Sequence, residues 1–286
     1  MNISASMVKE LRDKTGAGMM DCKKALEAND GDAEKALDWL RLKGLSKAAK
    51  RADRSTNEGI IGCKAAADGK SAVMVEVKCE TDFVSRGDKF RELAAAVTNH
   101  VAENFTEDHD ALMASAFNGT TLEKAVGEAV AAIGENIIIG KTYKLAAENG
   151  IVGTYVHFTN KLGAMVSLEA SAPEVAAKPE VVALATQIAM HVVASNPISL
   201  DPDSLDPALK ERERNVYIEK ARAEGKPEKI IEKIADGAVQ KYYKDVCLVE
   251  QPWVLDEKQS VKDVLKQAGK EAGGELKLTG FVRVQL

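Results

Sequence analysis

Aromatic residues are scarce in this chain, 13 of 286, and histidine and cysteine are scarcer, with four of each. These shortages exclude the chemistries that need such side chains in clusters. The cysteines at 22, 63, 79 and 247 are too few and too scattered for a disulfide framework. None forms a C-x-x-C pair, which excludes a zinc ribbon and a thioredoxin-like motif. There is no HExxH, no G-x-S-x-G and no Walker-type glycine loop. Neither a catalytic centre nor a metal or cofactor is expected. Net positive charge is lacking too: 39 basic residues against 44 acidic ones give −5, the wrong sign for a protein that holds a phosphate backbone. Residues 1–15 have no apolar core of a secretory signal, so a reducing cytoplasm is the expected setting. The twenty residues from Val181 to Leu200 carry no full charge, but Gln187, His191 and Asn196 interrupt them and the aliphatics recur at helical spacing. They read as a buried helix, not a membrane span.

What is present is 45% apolar and 29% charged sequence, enough for an ordered protein of about two domains. Residues 1–44 read as three short helices. Ser4 or Ser6 caps the first, Gly18 precedes the second, and Asp32 caps a third that stops before Gly44. Their core of Val8, Leu11, Ala25, Leu26, Leu37 and Leu40 is small, so the unit reads as a docking module. Residues 41–54 hold six basic residues against one acid and read as a linker. Through Arg41, Lys43, Lys47, Lys50, Arg51 and Arg54 this segment offers an alternative function, RNA or ribosome binding, although no aromatics are interleaved.

From residue 58 the period changes to two. EGIIGCKAA, an Asp68-Gly69 turn and SAVMVEVKC make a hairpin with Val73, Val75, Val77 and Cys79 on one face. A helix follows over 88–104, and Thr120 with Glu123 predicts a capping box for a helix ending at Ile133. Strands are expected at 136–145, 151–158 and 164–170, then a helix at 179–195. Sliding the chain along itself by 91 residues puts 58–104 on 149–195 with eleven identities in 47 positions. Two related subdomains are therefore expected. Beyond them, 206–244 reads as a helical hairpin broken only at Gly225-Lys226-Pro227. A strand near 246–250, a helix capped by Ser260 and Asp263, and a last strand at 275–286 close the chain.

Two places invite contact with something else. Thr81-Asp82-Phe83-Val84 leaves the first-copy strand, where the second copy reads Ala172-Pro173-Glu174-Val175. The fold does not demand an aromatic there. Phe83 either plugs its own subdomain or touches a partner, and its absence from the copy favours the partner. Asp82 acts by its charge or caps the following turn. Leu11, Met19 and Met20 surround the corner Thr15-Gly16-Ala17-Gly18 and are equally readable as core or as an adaptable docking patch. Cys79 and His157 are a drawable thiol–imidazole pair, but Cys79 continues an apolar strand face and reads as core.

LRDKTGAGMMDCKKAL at 11–26, EVKCETDFVSR at 76–86, IGENI at 133–137 and AMHVVASNP at 189–197 together resemble bacterial elongation factor Ts, in order along the chain. The resemblance implies a guanine-nucleotide exchange factor for the GTPase elongation factor Tu, acting by binding and without covalent chemistry. Such a factor binds the GDP-bound GTPase, displaces Mg²⁺ and releases GDP so that GTP can rebind. The implied fold is α+β: a ubiquitin-associated-like three-helix module (1–54), a core of two related sheet-plus-helix subdomains (55–140 and 141–286), and a coiled-coil arm inserted at 206–244. Thr81, Asp82, Phe83 and Val84 match the segment linked to Mg²⁺ displacement. Leu11, Met19 and Met20, and further Ile133, Gly134 and His157, match partner contacts. Many members carry paired arginines after the GENI segment where this chain has Gly140-Lys141, and some continue into a C-terminal helical tail, so neither set of contacts is carried over. No membrane or direct nucleic-acid partner is implied. Self-association and a two-to-two complex both stay open.

Overall fold

The computed structural model describes residues 3–49 and 51–286, and the side chains of all of these except 45–49. Two compact units divide the chain. One comprises the segment up to Lys64, Val73–Tyr143 and Leu286; the other comprises Ala65–Ala72 and Lys144–Gln285. Helices and sheet are mixed in each, an α+β architecture.

The first unit opens with α1 (Ala5–Thr15), α2 (Met19–Ala28) and α3 (Ala33–Ala49). The Ser4 hydroxyl accepts from Met7 N–H to start α1, and Asp32 accepts from Glu34 and Lys35 N–H to start α3. Val8, Leu11, Cys22, Ala25, Leu26 and Ala36 form the small core, with Leu37 and Leu40 half-buried at its margin. The unit continues with β1 (Glu58–Ala65), β2 (Ser71–Cys79), α4 (Asp82–Arg86), α5 (Asp88–Glu103), α6 (His109–Ala114), β3 (Ala116–Phe117), β4 (Thr120–Thr121), α7 (Leu122–Ile133) and β5 (Ile137–Ala146). The sheet order is β1-β2-β5. Val73, Val75, Val77 and Cys79 of β2 meet Phe90, Val97 and Val101 of α5 and Val126 and Val130 of α7.

Two expectations fail here for local reasons. Helix α3 runs through Gly44 and takes in residues 41–49 of the expected linker. Gly44 is a point of close approach, since a β-carbon there would lie 2.8 Å from that of Ala131 on α7. Packing of one helix on another outweighs a glycine penalty of about 1 kcal/mol. The cap of α7 is Thr121, not Thr120. Thr120 pairs with Phe117 in the β3–β4 ladder, so it is the Thr121 hydroxyl that accepts from Lys124 N–H at 3.3 Å. Three residues on stands Lys124, not Glu123, and the expected box gives way to this single cap.

The second unit holds β6 (Gly150–Val156), β7 (Leu162–Ala170), α8 (Pro173–Ala176), α9 (Pro179–Ser195), α10 (Pro207–Ala223), α11 (Glu228–Val246), β8 (Pro252–Trp253), β9 (Asp256–Ser260), α12 (Val261–Glu271) and β10 (Leu276–Gln285). Its sheet is antiparallel in the order β10-β7-β6. Val181, Leu184, Ile188 and Val192 of α9 are buried in its core. Among the described residues no helix is long and apolar enough to cross a membrane. The strand expected near 246–250 is instead a 3₁₀ turn, Leu248–Glu250, following a single bridge between Ser199 and Cys247. Leu248 and Val249 N–H still pair with Ser199 and Leu200, but Glu250 N–H turns back onto Cys247 and ends the ladder.

The duplication is visible element by element. The same 91-residue step carries β2 onto β7, the start of α4 onto that of α8 and the start of α5 onto that of α9. A β-carbon on Gly59 would meet Val77 O at 2.2 Å, and one on its counterpart Gly150 would meet Leu168 O at 2.0 Å. The correspondence continues past the point where a constant step loses it. The pair β3–β4, then α7 and β5, has its counterparts in β8–β9, α12 and β10. Thr121 and Ser260 cap the matched helices, and Gly134 and Gly273 follow them in the left-handed conformation, φ 93° and 71°. Helices α10 and α11 lie between, and their insertion shifts the step.

His100 and His191 also correspond, each beside an aromatic of the short hairpin. His100 is edge-on to Phe117, and His191 stacks on Trp253 at 5.3 Å. Val254 N–H can only donate, so Nδ1 of the fully buried His191 accepts from it (3.3 Å) and Nε2 donates to Gln251 Oε1 (3.0 Å). Burial, partly offset by the bond to Gln251, pulls the His191 pKa below 6.5. The unfolded chain then binds a proton that the folded one refuses, so stability falls as pH drops below about 6.5. The urea midpoint read by far-ultraviolet circular dichroism is expected to decline between about pH 7.5 and 5.5, and to decline less in His191→Gln. Equal pH slopes in the two proteins would remove His191 as the cause.

Candidate functional site

Strand β2 ends at Cys79, whose thiol is buried and donates to Thr81 O at 3.3 Å. A sulfur enclosed in this way is core, which removes the thiol–imidazole pairing with His157. The next residues enter α4. Thr81, not Asp82, is the cap: its hydroxyl accepts from Val84 N–H at 3.4 Å. Asp82 pairs with Arg86 at 3.1 Å, one helical turn on and in solvent, where such a pair contributes little. Val84 packs against the core and its counterpart Val175 is buried, so this position belongs to the fold. Phe83 does not plug its own unit: it is 85% exposed.

The loop that carries this ring is braced from below. Glu135 Oε2 accepts from Glu80 N–H (3.2 Å) and Thr81 N–H (3.0 Å), while its Oε1 accepts from the Thr81 hydroxyl at 2.6 Å. In return Glu80 Oε1 accepts from Asn136 N–H at 2.6 Å, with Arg54 at 3.4 Å. The buried Asn136 amide donates to Ala52 O and Arg54 O. Three segments distant in sequence, 52–54, 80–81 and 135–136, are thus held together by backbone groups and carboxylates. Charge-assisted bonds of this kind are about twice as strong as neutral ones. Sequence reading singled out the segment Glu80–Arg86, with Thr81–Val84 as its site residues, but assigned no role to Glu80, Glu135 or Asn136.

Of the other expected contact residues in this unit, Met19 and Met20 open α2 and are 49% and 63% exposed. Leu11 lies in the core of the three helices, 2% exposed, and is not a surface residue. Ile133 is half-buried. Gly134 ends α7 with open space where a side chain would stand. A β-carbon on Gly140 would come within 2.9 Å of Glu76 Cβ, so the backbone packs closely on the neighbouring strand there.

His157 belongs to the second unit. Its Nδ1 lies 3.1 Å from the Tyr155 hydroxyl and its ring 4.3 Å from that of Phe158. Phe158, which sequence reading passed over, is 85% exposed in the turn between β6 and β7. The signal was available: the matching turn of the first copy has Ala67, so the fold needs no aromatic at that place either.

Among the described residues of the basic segment, each cationic side chain has a partner. Arg41 bonds Glu128 at 2.6 Å, and Lys43 pairs with Asp21 and sits over the Trp39 ring. Arg51 donates to Val130 O, and Arg54 pairs with Glu80. Lys50 and the side chain of Lys47 lie outside the described residues. Among the described residues, no group of three His, Cys, Asp or Glu side chains is placed to hold a metal ion.

A family model described as Elongation factor TS matches residues 80–286. Elongation factor Ts of Lawsonia intracellularis is 47% identical to the chain, with 100% of this chain and 99% of that protein aligned. The protein of the same name from Desulfovibrio desulfuricans is 48% identical over 99% of this chain and 98% of its own length. That of Rhodopseudomonas palustris strain TIE-1 is 46% identical over 99% and 92%. Agreement at this level from end to end, with the TDFV loop among the matched residues, leaves one conclusion: the chain belongs to the elongation factor Ts family.

Proposed function

We propose that this chain carries out the exchange activity of its family, release of GDP from elongation factor Tu, by pressing Phe83 into the GTPase domain while Met19 and Met20 anchor the complex. The observation that carries the reading is a large apolar ring left in water on a loop that hydrogen bonds hold in place. Burying it in a partner is worth roughly 1.5–3 kcal/mol. By linkage, whatever factor the exchange factor gains on nucleotide-free GTPase is the factor by which it loosens the nucleotide. Each decade requires about 1.4 kcal/mol, so Phe83 alone supplies one or two. Thr81, Asp82 and Val84 shape the tip that displaces Mg²⁺. Asp82, tied to Arg86, acts by position more than by free charge.

In this reading residues 1–54 are a ubiquitin-associated-like docking module, and 55–140 and 141–286 are the two subdomains. Leu11 acts through the core of the module that carries the methionines, and Ile133 and Gly134 border the tip. His157, with Phe158 beside it, offers the GTPase a second surface. Helices α10 and α11, joined across their length by Arg214–Asp236 and Arg222–Glu228, both at 3.1 Å, form the coiled-coil arm. The chain works in the cytoplasm as a binding protein and performs no covalent chemistry. The test is release of a fluorescent GDP analogue from purified elongation factor Tu. Substoichiometric amounts of the chain are expected to accelerate release at least tenfold with turnover; release no faster than the spontaneous rate would refute the reading.

A further inference from the structure

The molecule contains its own control for the loop beneath Phe83. The side chain at position 80 accepts from the backbone N–H of 136, Glu80 Oε1 to Asn136 at 2.6 Å. At the corresponding place in the second copy, the Ser171 hydroxyl accepts from Glu275 N–H at 3.0 Å. This cross-link is present with and without an aromatic on the loop, so it belongs to the architecture. The Glu135 bonds divide: Glu80 N–H, which Glu135 holds, has a counterpart in Ser171 N–H, held by Glu275 O at 2.9 Å, whereas the bond to the Thr81 hydroxyl has none, because Ala172 stands at that place. With Gly134 and Gly273 aligned by their left-handed conformation, Glu135 corresponds to Gly274. There a β-carbon would lie 2.5 Å from the Ser171 hydroxyl. Val175 crowds the same point at 2.8 Å, and the second copy has no carboxylate where the first uses one. Its loop also lacks a side-chain cap, because Ala172 replaces Thr81 and Pro173 starts the helix.

We infer that Glu135 is a positioning residue for the exchange tip: its carboxylate fixes Glu80 N–H, Thr81 N–H and the Thr81 hydroxyl so that α4 presents Phe83 in one orientation. The inference rests on the reading of Phe83 as the tip. A group held in advance loses less freedom on docking, so the brace acts in the step that expels nucleotide. A bond that merely supported the fold would be expected in both copies, as the 80–136 cross-link and the bond at Glu80 or Ser171 N–H are, whereas the hold on the Thr81 hydroxyl occurs only where the loop carries an aromatic.

The experiment is a double-mutant cycle on the full chain, read by stopped-flow release of the GDP analogue at saturating exchange factor. Glu135→Ala is expected to slow maximal release fivefold or more, with the half-saturating concentration changed less than twofold. In a Phe83→Ala background the same substitution is expected to change release less than twofold. Equal fold-losses in both backgrounds, or no loss in the Phe83 protein, overturn the inference while leaving the tip in place. Phe83→Ala with unaltered release overturns both. Should Glu135→Ala shift the thermal midpoint strongly, Glu135→Gln, which keeps one acceptor oxygen, is put through the same cycle and judged by the same outcomes.

Discussion

Phe83→Ala is expected to slow the stimulated release of GDP by one to two decades and to leave the folded chain unchanged. Both halves follow from one observation. The ring is 85% exposed, so the free protein loses almost no buried area when it is truncated. All of the loss falls on the complex, where removing it from water is worth about 1.5–3 kcal/mol. Thr81 still caps α4 and Glu135 still holds its N–H groups, so the loop keeps its course. A ring that wedges where nucleotide and Mg²⁺ are released lowers the maximal rate when it is removed, whereas one that only adds adhesive area raises the half-saturating concentration. Stopped-flow release across a range of exchange-factor concentrations separates the two. Asp82→Asn, whose partner is the neighbouring Arg86, is expected to do less. A wild-type rate from Phe83→Ala would mean that the exposed ring is not the tip.

How far the sequence alone leads can be judged from the same loop. The period-two runs, the helix at 179–195 and the first-copy hairpin were legible because each buries a face with a fixed repeat. The duplication was legible only up to residue 195. A constant step cannot cross an insertion, and α10–α11 displace everything after them. This is why Glu135 was hidden. Its role shows only against Gly274, a comparison that needs the second halves of both copies aligned. Gly44 misled for a different reason. Glycine looks like a helix stop until the partner helix is known, and here Ala131 fills the space its missing side chain leaves. Phe83 was the better case: its absence from the copy already set it apart from the fold, and its exposure agrees. The anchoring patch was less decided, since paired methionines after a glycine corner fit a core as well as a surface.

That patch yields the second large effect. Met19→Ala with Met20→Ala is expected to weaken binding to elongation factor Tu roughly 10–100-fold, each thioether having about half its surface still to bury, worth about 1 kcal/mol apiece or somewhat more. The helix tolerates the change, because alanine is the best helix former and neither side chain belongs to the small core, which Leu11 and Leu26 hold from the other side. Deleting residues 1–54 would be a poorer experiment. Helix α3 packs on α7 at Gly44, Arg41 bonds Glu128, and Arg51 donates to Val130 O, so truncation uncovers α7 and takes the Ala52 and Arg54 carbonyls from Asn136 beneath the tip. Affinity and rate would then fall together for reasons unrelated to docking. In the double substitution they separate. Calorimetry should record the weaker dissociation constant while saturating concentrations restore the maximal release rate, the reverse of the Phe83→Ala pattern. An unchanged dissociation constant would show that the methionines face solvent in the complex as they do in the free chain.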